Sequence, residues 1–176
     1  MKREGIQYGA PKASGWSSDF IDKFGTDVAT ALGFEPKNPL VDVVKRLGGR
    51  LEYVSNWEFY DNESIFVHSP QDFDIYVSQY TSPLRDRFTI AHELAHYVLH
   101  SNFGKIPLVA KRIGSNLAER EANWFAAGFL MPRDLMCNVY KQCGGELWKM
   151  AAQLGLSESA VTVRVEYLQR IGVIEK

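Results

Sequence analysis

A chain of 176 residues with 45% hydrophobic content has the size of one ordinary globular domain and enough apolar material for a real core. Its 20 basic and 21 acidic residues leave a formal charge of −1, so no overall field draws it to nucleic acid or to an anionic membrane. No run of roughly 18 apolar residues occurs and none follows the charged start MKREG, so the expectation is a cytoplasmic protein without signal peptide or membrane span.

Along the chain, residues 1–15 read as a loose, flexible arm and 16–38 as an N-terminal helical extension. In that extension Phe20, Ile21, Phe24, Val28 and Leu32 recur at helical spacing over Asp19 to Leu32, with Gly33 as the stop. The central region, 39–142, opens with a helix from Pro39 to Leu47, ended by Gly48-Gly49. Three stretches rich in β-branched and aromatic residues follow, Arg50 to Val54, Ser64 to His68 and Phe73 to Ser78, separated by turn residues such as Asp61-Asn62 and Ser69-Pro70. They predict a small, mostly antiparallel, three-stranded sheet. From Ser82-Pro83 onward the pattern is helical: Leu84 to His100, Ser115 to Met131 stopped by Pro132, and Arg133 to Gln142. The C-terminal subregion, 143–176, carries a helical pair across Glu146 to Ile171. Helix, sheet and further helices in one chain of this length predict a single α+β domain. Cys137 and Cys143 match neither a zinc knuckle nor a redox pair in their spacing and read as ordinary thiols.

Three of the four histidines fall within Leu84 to His100, which contains His92-Glu93-Leu94-Ala95-His96, an H-E-x-x-H pattern in an uninterrupted apolar helix. Four residues advance a helix by about 6 Å and slightly more than a turn, so both imidazoles share a face and can converge on one ion at about 2.0–2.1 Å. Glu93 is too near in sequence to join them as a ligand. It can reach the water that the ion holds, as a general base in metal-assisted hydrolysis must. If another group were the base, Tyr97, Tyr76 and His68 would be the side chains to examine, each of them better explained structurally. His100 continues the spacing but lies about 12 Å along the axis from His92, too far to share an ion with it. It reads instead as a helix-end residue meeting terminal carbonyls.

Catalytic zinc takes three protein groups and keeps one position open. The next helix offers Glu119 and Glu121. Glu119 shares a face with Ala122, Asn123 and Ala126, whose small side chains let the helices approach, and is the better third ligand. Glu121, which shares its face with Phe125, fits an exposed carboxylate favoured by the helix dipole. Asn123, one turn beyond Glu119, is placed to hydrogen-bond a ligating histidine.

The run Arg87 to Tyr97 (RFTIAHELAHY) followed by Glu119 to Pro132 (EREANWFAAGFLMP) resembles the ImmA/IrrE family of metallo-endopeptidases, and in weaker form the similarity extends over about Pro39 to Ile174. The resemblance implies a gluzincin-like zinc site with His92, His96 and Glu119 as ligands and Glu93 as base, making 39–142 the catalytic core. It also implies a substrate class, since family members cleave helix-turn-helix repressors of prophages, mobile elements or damage responses. It does not cover the Asp19 to Leu32 helix.

The C-terminal stretch reads as helix, tight turn at Gly155-Leu156-Ser157, and second helix with Ser157 as N-cap, a helix-turn-helix-like pair. Four basic and four acidic residues across Glu146 to Lys176 cancel, which argues against phosphate contacts and for packing or repressor docking. The function expected is therefore a narrow-specificity zinc endopeptidase acting on a repressor. The rivals are a winged-helix-like regulator with a vestigial metal site and a non-catalytic regulator, of anti-repressor or toxin-antitoxin type, that binds a repressor and retains zinc. For substrate binding, Phe73 to Ser78 stands open as either an edge strand that pairs with an extended peptide or a central strand, in which case loops such as Ser101 to Val109 must hold the substrate.

Overall fold

The computed structural model describes residues 1–55, 62–111 and 116–175; Asp61 of the anticipated Asp61-Asn62 turn and Ser115 at the anticipated helix start lie outside them. The fold is α+β. The described residues form seven α-helices, α1 (Ser18–Ala31), α2 (Leu40–Arg46), α3 (Pro83–Ala95), α4 (Leu117–Leu130), α5 (Arg133–Cys143), α6 (Leu147–Leu154) and α7 (Glu158–Arg170), with strands β1 (Gly49–Val54), β2 (Glu63–Ser69), β3 (Asp72–Ser78) and β4 (Leu108–Lys111). Local chemistry sets the helix starts. The side chains of Ser17, Ser82, Asn116 and Ser157 each accept from the backbone amide three residues on, and Pro83 occupies the first turn of α3.

The sheet departs from the sequence expectation in two ways. It has four strands in the order β1-β3-β2-β4, and it is mixed: β1 runs parallel to β3, while β2 is antiparallel to both β3 and β4. The tight Pro70-Gln71 connection, with Gln71 at φ 60°, makes β2 and β3 a hairpin; β1 joins on the far side of β3, and its direction there is parallel. Strand β3 is thus central and hydrogen-bonded on both sides, which excludes Phe73 to Ser78 as an edge for a substrate peptide. Strands β1 and β4 are the outer strands of the sheet.

Alternation along the strands separates two faces. Ile65, Val67, Phe73, Ile75, Val77, Leu108 and Ala110 face the main core with α3 and α4, while Phe66, Tyr76 and Val109 form a smaller cluster on the outer face, with Tyr8 packed on it. Residues 1–15, anticipated as loose, are tied to that outer face. The Arg3 guanidinium binds Asp72, and the Tyr8 hydroxyl lies 2.5 Å from His68 Nδ1, whose Nε2 meets Asp74 at 2.9 Å. Gly9 then bridges to the outer edge of β4, its amide donating to the Pro107 carbonyl at 3.1 Å and its carbonyl accepting from Val109 at 2.9 Å.

Helix α1, outside the resemblance, packs on α4 with backbones in close approach: a methyl group at Gly128 would overlap the Asp22 carbonyl oxygen, and one at Gly25 the Phe125 carbonyl oxygen. Asp22 also ties the helices together, bonding Arg133 Nε at 2.7 Å and Arg164 Nη1 at 2.7 Å, both ion pairs with a carboxylate at 3% side-chain exposure. Arg164, one of the four C-terminal basic residues, is thereby committed to the interior.

Candidate metal centre

Helices α3 and α4 lie side by side, with Ala91 and Ala95 on one and Ala122 and Ala126 on the other fully buried, and these small side chains allow the close packing that brings the polar groups together. His92 on α3 and His96, the first residue after it, stand one turn apart. Glu119 sits in the first turn of α4, three residues after the Asn116 cap, where the positive end of the helix favours a carboxylate.

Three atoms converge. His92 Nε2 lies 3.1 Å from Glu119 Oε2, His96 Nε2 lies 3.3 Å from His92 Nε2, and His96 Nε2 lies 3.5 Å from Glu119 Oε1. Donors bound at about 2.0–2.1 Å around a tetrahedral ion are some 3.3 Å apart, so two imidazole nitrogens and a carboxylate at these separations fit three corners of such a site. Among the described residues, these three form the one cluster able to hold a metal ion. Asn123 Oδ1 accepts from His92 Nδ1 at 2.9 Å, the contact anticipated for it.

Glu93 points elsewhere, as its sequence position requires. Its side chain is buried, with one oxygen lacking a partner among the described residues, and burial pushes its carboxyl up to about 7 even though His92 and the Ser64 hydroxyl pull it down. Ser64 belongs to β2 and is a contact with no sequence signal. Burial drives the His96 imidazole down to about 4, which keeps it neutral. Burial also opposes charge on His92, but the hydrogen bond to Glu119 prevails and raises it. For Glu119, bonds to both imidazoles outweigh burial and hold the carboxyl far below its usual range.

Two expectations are corrected. His100 does not meet terminal carbonyls at a helix end. The backbone widens into a π-helical turn over His96–His100, with the Ser101 amide donating to the His96 carbonyl, and His100 turns inward, 7% exposed, its Nδ1 2.9 Å from His96 Nδ1. Glu121 is not an exposed carboxylate but is fully buried, at 0% exposure, with His100 Nε2 at 3.1 Å. Its place on the Phe125 side of α4, with Ala118, was the available signal: a carboxylate on an apolar face must be paired inside. Tyr97 is buried against Phe73 at 4.0 Å between ring centroids and its hydroxyl accepts the Gln71 amide, while Tyr76 and His68 lie on the outer face of the sheet; all three are accounted for structurally.

Residues 61–166 match the IrrE N-terminal-like domain, Peptidase_M78. The chain belongs to this family. A Mycobacterium tuberculosis transcriptional regulator has a similar fold, with a TM-score of 0.59 at 18% identity over 88% of this chain, and this chain spans 49% of that one. No curated protein matches. Among the described residues, no helix is long and apolar enough to cross a membrane.

Proposed function

We propose that this chain is a zinc-dependent endopeptidase of narrow specificity, with His92, His96 and Glu119 as zinc ligands and Glu93 as general base, and that its substrate is a helix-turn-helix repressor of a prophage, mobile element or stress response, met in the cytoplasm. The observation that carries the reading is the pairing of three convergent donors with a buried carboxylate that has one oxygen unpartnered among the described residues and a proton affinity near neutrality. Zinc, when bound, supplies a Lewis acid that makes water nucleophilic near pH 7 and polarises the scissile carbonyl. Glu93 then takes the proton from the attacking water and passes it to the leaving amine, a role that a carboxyl poised near 7 performs well. The Ser64 hydroxyl orients that carboxylate, and Asn123 orients His92.

The choice of substrate class rests on the family resemblance. A groove of about 390 Å³ lined by Tyr8, Gly9, Pro11, Val109, Lys111 and Glu119 borders the site on its Glu119 side. The non-catalytic alternative shares the metal site and differs only in outcome. Incubating the chain with the repressor encoded beside it or co-purified with it decides between them. Two fragments with zinc, and none with chelator or with Glu93→Gln, support cleavage; an intact, stable complex under all conditions supports sequestration.

A further inference from the structure

An imidazole that ligates a metal presents a lone pair at one nitrogen and a proton at the other, and the group that receives that proton fixes the ring's tautomer and orientation. For His92 the receiver is Asn123. For His96 it is a second imidazole: the two Nδ1 atoms of His96 and His100 are 2.9 Å apart, and His100 Nε2 is 3.1 Å from Glu121 Oε2. A contact between two Nδ1 atoms holds a single proton. If His96 Nε2 faces the ion as a lone pair, that proton sits on His96, His100 Nδ1 accepts it, and the His100 Nε2 proton points at Glu121. The far end is fixed as well. The Ser14 amide donates to Glu121 Oε2 at 2.8 Å and the Gly15 amide to Oε1 at 2.9 Å. Three donors thus converge on one fully buried carboxylate, and every hydrogen bond in the chain has one permitted direction, from His96 outward to the N-terminal segment.

We propose that His100 and Glu121 are positioning residues of the metal centre, a relay that holds His96 in its Nδ1–H tautomer with Nε2 toward the ion, and that residues 14–15 complete the centre by anchoring Glu121. The proposal rests on reading His92, His96 and Glu119 as metal ligands; it does not rest on peptide hydrolysis. Helix geometry supplies the layout. Glu119 and Glu121, two apart on α4, point to different sides, one to the ion and one beneath it. Across the π-helical turn the His96 and His100 rings lie 4.9 Å apart between centroids, tilted by 42°.

Glutamine at position 121 would present an NH2 group to one of three arriving donors. Relief comes only by leaving a buried amide unpaired or by making His100 accept, which reverses the relay and protonates His96 at Nε2. Glutamine at position 100 behaves differently: its oxygen can accept from His96 and its NH2 can donate to Glu121, so the direction survives. Leucine there breaks both bonds.

Zinc affinity, measured by competition with a chromophoric chelator, and the His96 tautomer, read from imidazole 15N–1H correlation spectra, test this on the full chain. Expected are an Nδ1–H tautomer for His96 in the unmodified chain and zinc binding weakened about 10- to 100-fold in Glu121→Gln and His100→Leu. His100→Gln is expected to restore most of the affinity. An Nε2–H tautomer in the unmodified chain overturns the proposal, and that readout requires no variant to fold. So does zinc affinity within about twofold of the unmodified chain in folded Glu121→Gln and His100→Leu, given the 10- to 100-fold loss expected on removing such partners. Failure of the unmodified chain to bind zinc would remove the metal reading and the relay together, whereas tight zinc without peptide cleavage would remove only the peptidase.

Discussion

His92 on α3 and His96 at the start of the π-helical turn that continues it stand one turn apart, yet their environments differ. The His92 side chain is 16% exposed and its neighbour Glu119 raises its proton affinity; the His96 side chain is at 0% exposure and burial drives it down to about 4. Desolvation opposes charge on both rings and Glu119 bonds both; in His92, oriented by an asparagine at the rim, the carboxylate prevails, and in His96, backed by a second imidazole in the interior, desolvation does. The difference teaches that a symmetric motif need not make a symmetric site. The outer ligand belongs to the cleft, and the inner one belongs to the core.

The sharpest way to break this comparison is to remove each ring in turn. His92→Ala and His96→Ala should both abolish tight zinc binding. Without metal, however, His96→Ala should cost about 3 kcal/mol of stability through a cavity and a stranded His100, against less than about 1 kcal/mol for His92→Ala. Denaturant unfolding in chelator measures this, and equal losses would mean that both rings share one environment.

Next in size is Gly128→Ala, whose methyl group must push the Asp22 backbone of α1 away from α4. A loss of about 1–3 kcal/mol is expected from such overpacking. Because α4 also carries Glu119, zinc affinity should fall with it; a drop in melting temperature at unchanged affinity would show that the helix absorbs the strain away from the site.

Asn123→Ala sharpens the contrast at the rim. Zinc affinity should weaken by about tenfold with little change in stability, since His92 keeps access to water as an alternative partner. A loss equal to that of Glu121→Gln would place the two supports on the same footing.

The smallest effect concerns acid. The bond from Arg3 holds the Asp72 carboxyl below its ordinary range, and for Asp74 the bonds to His68 and Arg50 outweigh burial and do the same. Groups with lowered folded values stabilise fully above the unfolded value, about 4, and lose that contribution as pH falls through the folded one. Residues 1–15 should therefore detach below about pH 4, visible as faster amide exchange in that segment; exchange independent of pH-driven opening there would show that apolar contacts at Tyr8 anchor it instead.

What the sequence made legible was local. The cap at Ser157, the shared face of His92 and His96, and the Glu119–Asn123 spacing depend on residues within one or two turns of each other. What stayed hidden depends on distant partners. Strand β4 is four residues long after a turn-rich run and is held by pairing with β2, and β1 pairs in parallel with the far side of β3. The same holds for the N-terminal segment, whose anchors on Asp72, His68 and Glu121 lie 60 or more residues away. Glu121 reads locally as an exposed carboxylate favoured by the helix dipole, and nothing near it in sequence names His100, the partner that accompanies its burial.

The central claim is a single zinc ion held by His92, His96 and Glu119. Diffraction from zinc-loaded crystals at the zinc absorption edge tests it most directly. The account predicts one anomalous peak between α3 and α4, about 2.0–2.1 Å from His92 Nε2, His96 Nε2 and a Glu119 oxygen. A peak coordinated by His100 or Glu121, or no peak in a chain shown to carry stoichiometric zinc in solution, would contradict it.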